Sequence, residues 1–298
     1  MKQMKQILSL LIFFLAFQAK SNEKLNLPIQ QGMWHVEMQI NDSTFLPFFM
    51  QFDDEGLTVI NDEEKILIPK VRLEGDSIIC TFPIFNTYLK GKVINDQEIS
   101  GFWYYPAKGP DYKIPFIAQL KDHKRFEKYR NQKESEVLAP KYEIYFDPGT
   151  EDEFPAIGRF SQGNDGKISG TFLTETGDFR FLSGNVFGNR FYLSTFDGAH
   201  AFLFEGTIKG DEITGTFYSG IHYQTTFTGV ANQNYELTDP NKLTYLTDPG
   251  AKIEFEFKDL QGQSFHFPED ADPNKVTIIQ IMGSWCPNCK DETAFYKE

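Results

Sequence analysis

Two cysteines three residues apart near the C-terminal end, Cys286 and Cys289, are the residues whose type and spacing best suit chemistry. They follow an apolar run, Val276 to Ile279 and then Ile281, and precede a polar, helix-compatible tail. Apolar residues at successive positions suit a strand buried on both faces of a mostly parallel sheet. Gly283 and Ser284 end the run. Pro287 falls in the first turn of the expected helix, where its missing N–H costs nothing and its fixed φ helps. A thiol at that helix N-terminus meets unpaired N–H groups and the positive end of the helix dipole, which together stabilise a thiolate. Cys286 is therefore the expected nucleophile, with Cys289 folding back toward it.

Other chemistries for the pair need partners. Structural zinc takes four ligands, commonly two Cys pairs or one pair with two closely spaced His. The third cysteine, Cys80, is far upstream, and His35, His123, His200, His222 and His266 are scattered without ligand spacing. Covalent haem attachment needs a His directly after the second Cys, a place that Lys290 holds. A plain structural disulfide is an alternative, although closing so short a loop gains little. No metal and no cofactor are expected.

The segment from Ile278 to Glu292, with Trp285-Cys286-Pro287-Asn288-Cys289 at its centre, resembles the active-site region of the thioredoxin superfamily, and more narrowly the TlpA-like membrane-anchored or periplasmic disulfide reductases. The likeness covers about the last fifty residues. It implies Cys286 as the attacking nucleophile and Cys289 as the resolving thiol, supported by Trp285 and Pro287. Glu292 matches a functional Glu six positions after the first Cys, with a solvated helix residue as its other reading. Thioredoxins proper carry a buried Asp six positions before the first Cys; Gln280 stands there. The resemblance implies a protein-disulfide reductase whose partners are protein disulfides or dithiols and an upstream thiol reductant.

Residues 1–21 carry Lys2 and Lys5 ahead of an apolar core from Ile7 to Phe17. That core is too short to span a bilayer and has the layout of a signal peptide, which implies a periplasmic or otherwise exported protein whose mature chain is not a transmembrane protein. A net charge of −13 argues against nucleic acid and anionic membrane surfaces, both of which call for basic patches.

Thirty Phe and thirteen Tyr with 23 Gly favour aromatic-rich strands separated by turns. From Met33 to about Val230 the chain reads as short strands, among them Phe48 to Phe52, Lys65 to Leu73, Ser77 to Phe82, Glu98 to Tyr105 and Tyr112 to Leu120. The plan repeats. Pro47 to Phe52 returns as Pro155 to Phe160, Gly75 to Phe82 as Gly188 to Phe196, and Glu98 to Phe102 as Glu212 to Phe217. Two similar antiparallel meanders cover their edges best by closing into one barrel, so residues 22–235 are expected as a single all-β unit of two similar halves.

Residues 121–139 read as a solvated connector between the halves. Residues 236–250, with Thr-Asp-Pro at Thr238 and again at Thr247, read as a linker. Residues 251–298 supply a hairpin, one strand and part of a helix, the incomplete N-terminal part of a thioredoxin-like α/β domain, so this form is expected to be a weak or inactive reductase. Within the β unit, Arg180, Asp197 and His200 could meet on one barrel rim, although turn chemistry accounts for Asp197-Gly198 and strand alternation for the rest. Cys80 reads as a buried small hydrophobe. The alternative to a reductase is a β-barrel ligand- or partner-binding protein with an accessory redox motif, the reading to choose if inward side chains are too small to fill the barrel.

Overall fold

The computed structural model describes residues 27–54, 56–82, 84–121, 124–130, 134–283 and 286–297. The expected signal peptide at 1–21, His123 and Trp285 lie outside the described residues.

Alternating apolar and polar residues fold residues 32–120 into nine antiparallel strands: β1 (Gly32–Gln39), β2 (Phe45–Asp53), β3 (Gly56–Asn61), β4 (Glu64–Ile68), β5 (Val71–Glu74), β6 (Ser77–Phe82), β7 (Thr87–Asn95), β8 (Glu98–Tyr104) and β9 (Lys113–Leu120). They pair in the order β4-β3-β2-β1-β9-β8-β7-β6-β5, a nearly closed barrel whose ladder is open between β4 and β5. Pro69 sits at that opening and splits the Lys65 to Leu73 stretch, read above as one strand. Proline has no N–H to give a ladder and is confined to such edges.

Residues 141–231 repeat the arrangement with β10 (Lys141–Phe146), β11 (Phe154–Gln162), β12 (Lys167–Thr174), β13 (Gly177–Asp178), β14 (Leu182–Phe187), β15 (Arg190–Phe196), β16 (Ala201–Lys209), β17 (Glu212–Ser219) and β18 (Tyr223–Ala231). Here β12 pairs with both β11 and β14, and eight strands close into a barrel. The three repeated stretches fall on β2 and β11, on β6 and β15, and on β8 and β17, which hold matching places in the two sheets. The single barrel expected from both halves is thus corrected to two barrels. Each first strand pairs with its own ninth, β1 with β9 and β10 with β18, so each half makes its own sheet; the second closes through β11–β12 and the first stays open between β4 and β5.

The lobes share a wall. Along β15, Phe191 and Leu193 point into the second barrel, whereas Tyr192 and Phe196 belong to the apolar core of the first. Phe196 packs against Phe48, Phe82 and Trp103, with ring centroids 4.5, 5.5 and 5.3 Å away. Burial on both faces hides the inside-outside alternation of this strand. Asn61, fully buried at the end of β3, donates to the Phe196 carbonyl at 2.9 Å and accepts from its N–H at 3.3 Å, joining the lobes through a backbone-like pair.

The connector is solvated in part, with Lys121, Lys128, Arg130, Glu134, Glu136 and Val137 exposed, but Arg125 and Phe126 act as mortar between the lobes. The Arg125 guanidinium is buried, donating to the carbonyls of Ile60 (2.7 Å) and Pro47 (3.3 Å) and to the Ser194 hydroxyl (3.3 Å), while its cation lies over the Phe49 ring. Phe126 is buried beside Tyr129 and Tyr192. Basic composition alone does not mark a residue as solvated when its donors find fixed carbonyls.

Beyond Ala231 the described chain is mostly exposed. It holds a two-stranded hairpin, β19 (Phe255–Lys258) with β20 (Ser264–Phe267), and α1 (Pro287–Phe295). The expected strand from Val276 to Ile281 is not formed. Val276 and Ile281 are 94% and 96% exposed, and residues 276–281 join no sheet. The fold is therefore mainly β with one short helix among the described residues, and the expected α/β segment is corrected. An apolar run makes a buried strand only where neighbouring strands take its hydrogen bonds.

Candidate functional site

Cys286 and Cys289 form a disulfide, with Cys286 at the N-cap of α1 and Pro287 in its first turn. The Cys289 N–H donates to Cys286 Sγ at 3.2 Å. Gln280, at the place of the buried Asp of thioredoxins, donates from Nε2 to the Cys289 carbonyl at 3.3 Å and accepts from Thr293 Oγ1 at 2.8 Å, so it ties the incoming chain to the helix. Glu292 is exposed and pairs with Tyr296 on the same helix. Cys80 is a free, fully buried thiol in β6, and burial pushes it up to about 12.

The second cluster lies where three parts of the chain converge. Asp197, 1% exposed, opens the β15–β16 turn; its Oδ1 accepts from the backbone N–H groups of Ala199 (2.8 Å) and His200 (2.6 Å), an Asx turn. Gly198 follows at φ +93°, and a Cβ there would stand 2.1 Å from a Phe82 ring atom, so the turn demands glycine on both counts. Asp197 Oδ2 lies 2.8 Å from His200 Nδ1 and 2.9 Å from Arg180 Nε, the latter an ion-pair contact without hydrogen-bond alignment.

Arg180 follows β13 in a left-handed conformation, φ 66°, its N–H held by Asp178 Oδ1 at 2.8 Å. A non-glycine residue at positive φ is strained and needs surrounding contacts to hold it there. Three acids supply them: Asp197 from the second lobe, Glu64 of the first lobe at 3.9 Å, and Asp291 of α1 at 2.9 Å from Nη1.

The charges are tuned by this crowding. Burial alone would raise Asp197, but His200 and Arg180 outweigh it and hold the carboxyl below its usual value. Burial lifts Glu64 above the ordinary carboxylate range, against the pull of Asn61 and Arg180. Asp291 is raised as well, by desolvation first and by the nearby Asp197, against Arg180. For Arg180, burial works against the charged form, yet the surrounding carboxylates prevail and raise it.

The cluster opens into a cleft of about 490 Å³ between the lobes. Asp62, Glu63 and Glu64 of the β3–β4 turn form one wall, and Arg159, Thr171, Asp178, Arg180 and Phe181 of the second lobe the other. Phe181 is 57% exposed, and the Thr171 hydroxyl has no hydrogen-bond partner among the described residues. The sequence reading allowed that Arg180, Asp197 and His200 could meet on one rim but preferred turn chemistry and strand alternation as their explanation; in the structure they do meet, through Asp197. That reading missed Glu64, Phe181 and Asp291. The run Asp62-Glu63-Glu64 at a hairpin tip was the signal for the first; Asp291 lies 111 residues from Arg180 and carries no local one.

A smaller cluster bridges the lobes elsewhere. Lys108 Nζ lies 3.0 Å from His222 Nε2 and the Tyr112 hydroxyl 3.1 Å from Nδ1, with Lys108 also over the rings of Tyr105 and Tyr112.

No family model matches the chain, and no curated protein matches it. Among solved structures, a DUF3598-family protein of unknown function from Nostoc punctiforme is 9% identical, with 68% of this chain and 96% of that chain covered at a TM-score of 0.25. Intact Ap-TbpB, with its N and C lobes, is 14% identical over 67% of this chain and 46% of that chain, TM-score 0.23. A transferrin binding protein B mutant from Haemophilus parasuis is 11% identical over 67% and 44%, TM-score 0.23. This chain spans just under half of each transferrin-binding structure.

The described C-terminal residues form only the two-stranded β19–β20 sheet, and residues 276–281, which lead into the Cys pair, join neither it nor any other, so no packed sheet stands behind the site as a thioredoxin active site requires. The resemblance to TlpA-like thiol-disulfide oxidoreductases is overturned. With it go the protein-disulfide reductase activity and the disulfide, dithiol and thiol-reductant partners drawn from it. The reason is local: a Trp-Cys-Pro-x-Cys stretch specifies a helix start and a disulfide, whereas the fold that makes such a pair catalytic needs a packed sheet behind it. Among the described residues no helix is long and apolar enough to cross a membrane.

Proposed function

We propose that this chain is an exported binding protein, not an enzyme, and that it engages a protein partner at the cleft between its two β lobes. The observation that carries this is where space is left. In the second barrel Phe146, Phe172, Phe204, Phe217 and Phe227 fill the interior, with Phe204 stacked 4.5 Å from both Phe172 and Phe217. Side chains that fill a small barrel leave no chamber for an enclosed ligand.

The cleft, by contrast, combines a half-exposed phenylalanine, an unpartnered hydroxyl and fixed charges of both signs. Aromatic anchors set among polar groups are the usual centre of a protein interface. The four carboxylates Asp62, Glu63, Glu64 and Asp178 outnumber the two arginines, so the complementary surface is basic. The leader-like layout of residues 1–21 supports export, and the periplasm is the compartment we assign.

Photocross-linking tests the reading. Benzoylphenylalanine at Phe181 is expected to give a discrete adduct in cells that export the protein, competed by excess unlabelled protein. The same probe at Val230, exposed on the outer face of β18, is the control. Equal adducts from both positions, or none from 181, would reject the cleft as the binding surface.

A further inference from the structure

We infer that the rim of the second lobe is a docking site for this chain's own C-terminal helix, in which Arg180 receives the Asp291 carboxyl group, and that the docked helix restricts entry to the cleft. The inference deepens the cleft reading and rests on it for the second half only.

Three observations carry it. Arg180 Nη1 meets Asp291 Oδ2 at 2.9 Å across 111 residues of sequence, while Arg180 also lines the cleft. The guanidinium is pre-positioned: its backbone is fixed by Asp178, and its other face by Asp197, which is itself locked by His200. A donor fork held in place loses little freedom when a carboxylate arrives. The helix also lies close to the β12–β13 turn, where a Cβ on Gly177 would be 3.6 Å from Asn288 Nδ2. Helix α1 runs only nine residues and buries none of them, so it has little besides this polar contact to hold it on the lobe.

Such a contact is built to release. Around Asp291 stand Arg180, Asp197, His200 and Glu64, with Asp178 beyond Arg180. Desolvation and Asp197 together raise the docked carboxyl above its ordinary value despite Arg180. A group whose pKa rises on docking favours the docked form when protonated. Docking is therefore tightest below the free Asp value of 3.8 and weakens as pH rises through the docked value, leaving the rim easiest to vacate near neutrality.

Hydrogen exchange on the full chain decides the first half. Asp291→Ala removes the carboxylate and puts the better helix former in its place, so faster exchange in α1 would report lost docking and not lost helicity. Exchange in residues 289–295, and at the Arg180 amide, should speed up roughly fivefold at pH 4, close to the free Asp value of 3.8, with a smaller effect at pH 7. Unchanged rates at both pH values would overturn the docking. For the second half, the adduct from benzoylphenylalanine at 181 should increase in the Asp291→Ala chain. Faster exchange with an unchanged adduct would overturn the restriction while the docking stands. No adduct from either chain would instead reject the cleft reading, and the exchange rates would still decide the docking.

Discussion

Arg125 Nη2 donates to the Ile60 carbonyl oxygen at 2.7 Å, from a connector between the lobes to the end of first-lobe strand β3. The same guanidinium reaches Pro47 and Ser194, so one side chain satisfies acceptors on both lobes and seals the wall they share.

Replacing it strands those acceptors. Arg125→Ala is expected to cost about 3 kcal/mol, the scale of leaving buried carbonyls unpaired. It should also uncouple the lobes. Calorimetry of the wild type should give one cooperative β transition and the variant two; a single transition of unchanged midpoint would show that Arg125 does not join the lobes.

Asp197 sets the acid limit of the β region. Its carboxyl is held below the free value of 3.8, so the stability it adds is present above that pH and is lost as pH falls through the folded value. Asp197→Asn leaves the Arg180 charge half-buried with less compensation, and a loss of roughly 3–5 kcal/mol is expected at pH 7. The variant's stability should fall less steeply than that of the wild type below pH 4. Parallel acid curves in urea titrations would refute the assignment.

The Lys108–His222 contact makes a different pH window. Burial first and the Lys108 charge second lower His222 from 6.5 to about 4. Because the unfolded chain then binds the extra proton between those values, stability should decline as pH drops from about 6.5 to about 4. Following the imidazole resonances by NMR, His222 should titrate near 4 in the wild type and higher in Lys108→Met. An identical titration in both would mean the two groups do not meet.

Thiol counting probes the C-terminal pair. With Cys286 and Cys289 joined and Cys80 fully buried, the native chain should take up no alkylating reagent at pH 8. After reduction with dithiothreitol two sites should label, and a third only in denaturant. Rapid labelling without reductant would contradict the disulfide.

Most of the strand content, the internal repeat and the helix after Pro287 were legible because each is encoded within a few residues: alternation, turn chemistry and a proline at a helix start. The meeting of Arg180, Asp197 and His200 was also within reach, since Asp197 and His200 share one turn and Arg180 follows a strand of the same lobe. Where the reading went astray, the cause was non-local. One barrel and two barrels need the same strands, and only the pairing of β1 with β9 and of β10 with β18 separates them.

By itself, the sequence determined a mainly β chain in two similar halves, a Cys-x-x-Cys at a helix N-terminus and a strongly acidic balance. Tertiary structure decided how those features are arranged. Val276 to Ile281 has the composition of a buried strand, but composition cannot supply the neighbouring strands whose carbonyls and N–H groups would pair with it, and none of the described residues does so. Glu64, Arg180 and Asp291 are unremarkable charges apart. They come together because the packing of the two lobes sets the first two side by side and the helix delivers the third, and in that crowded, desolvated space each charge sets the protonation of the next.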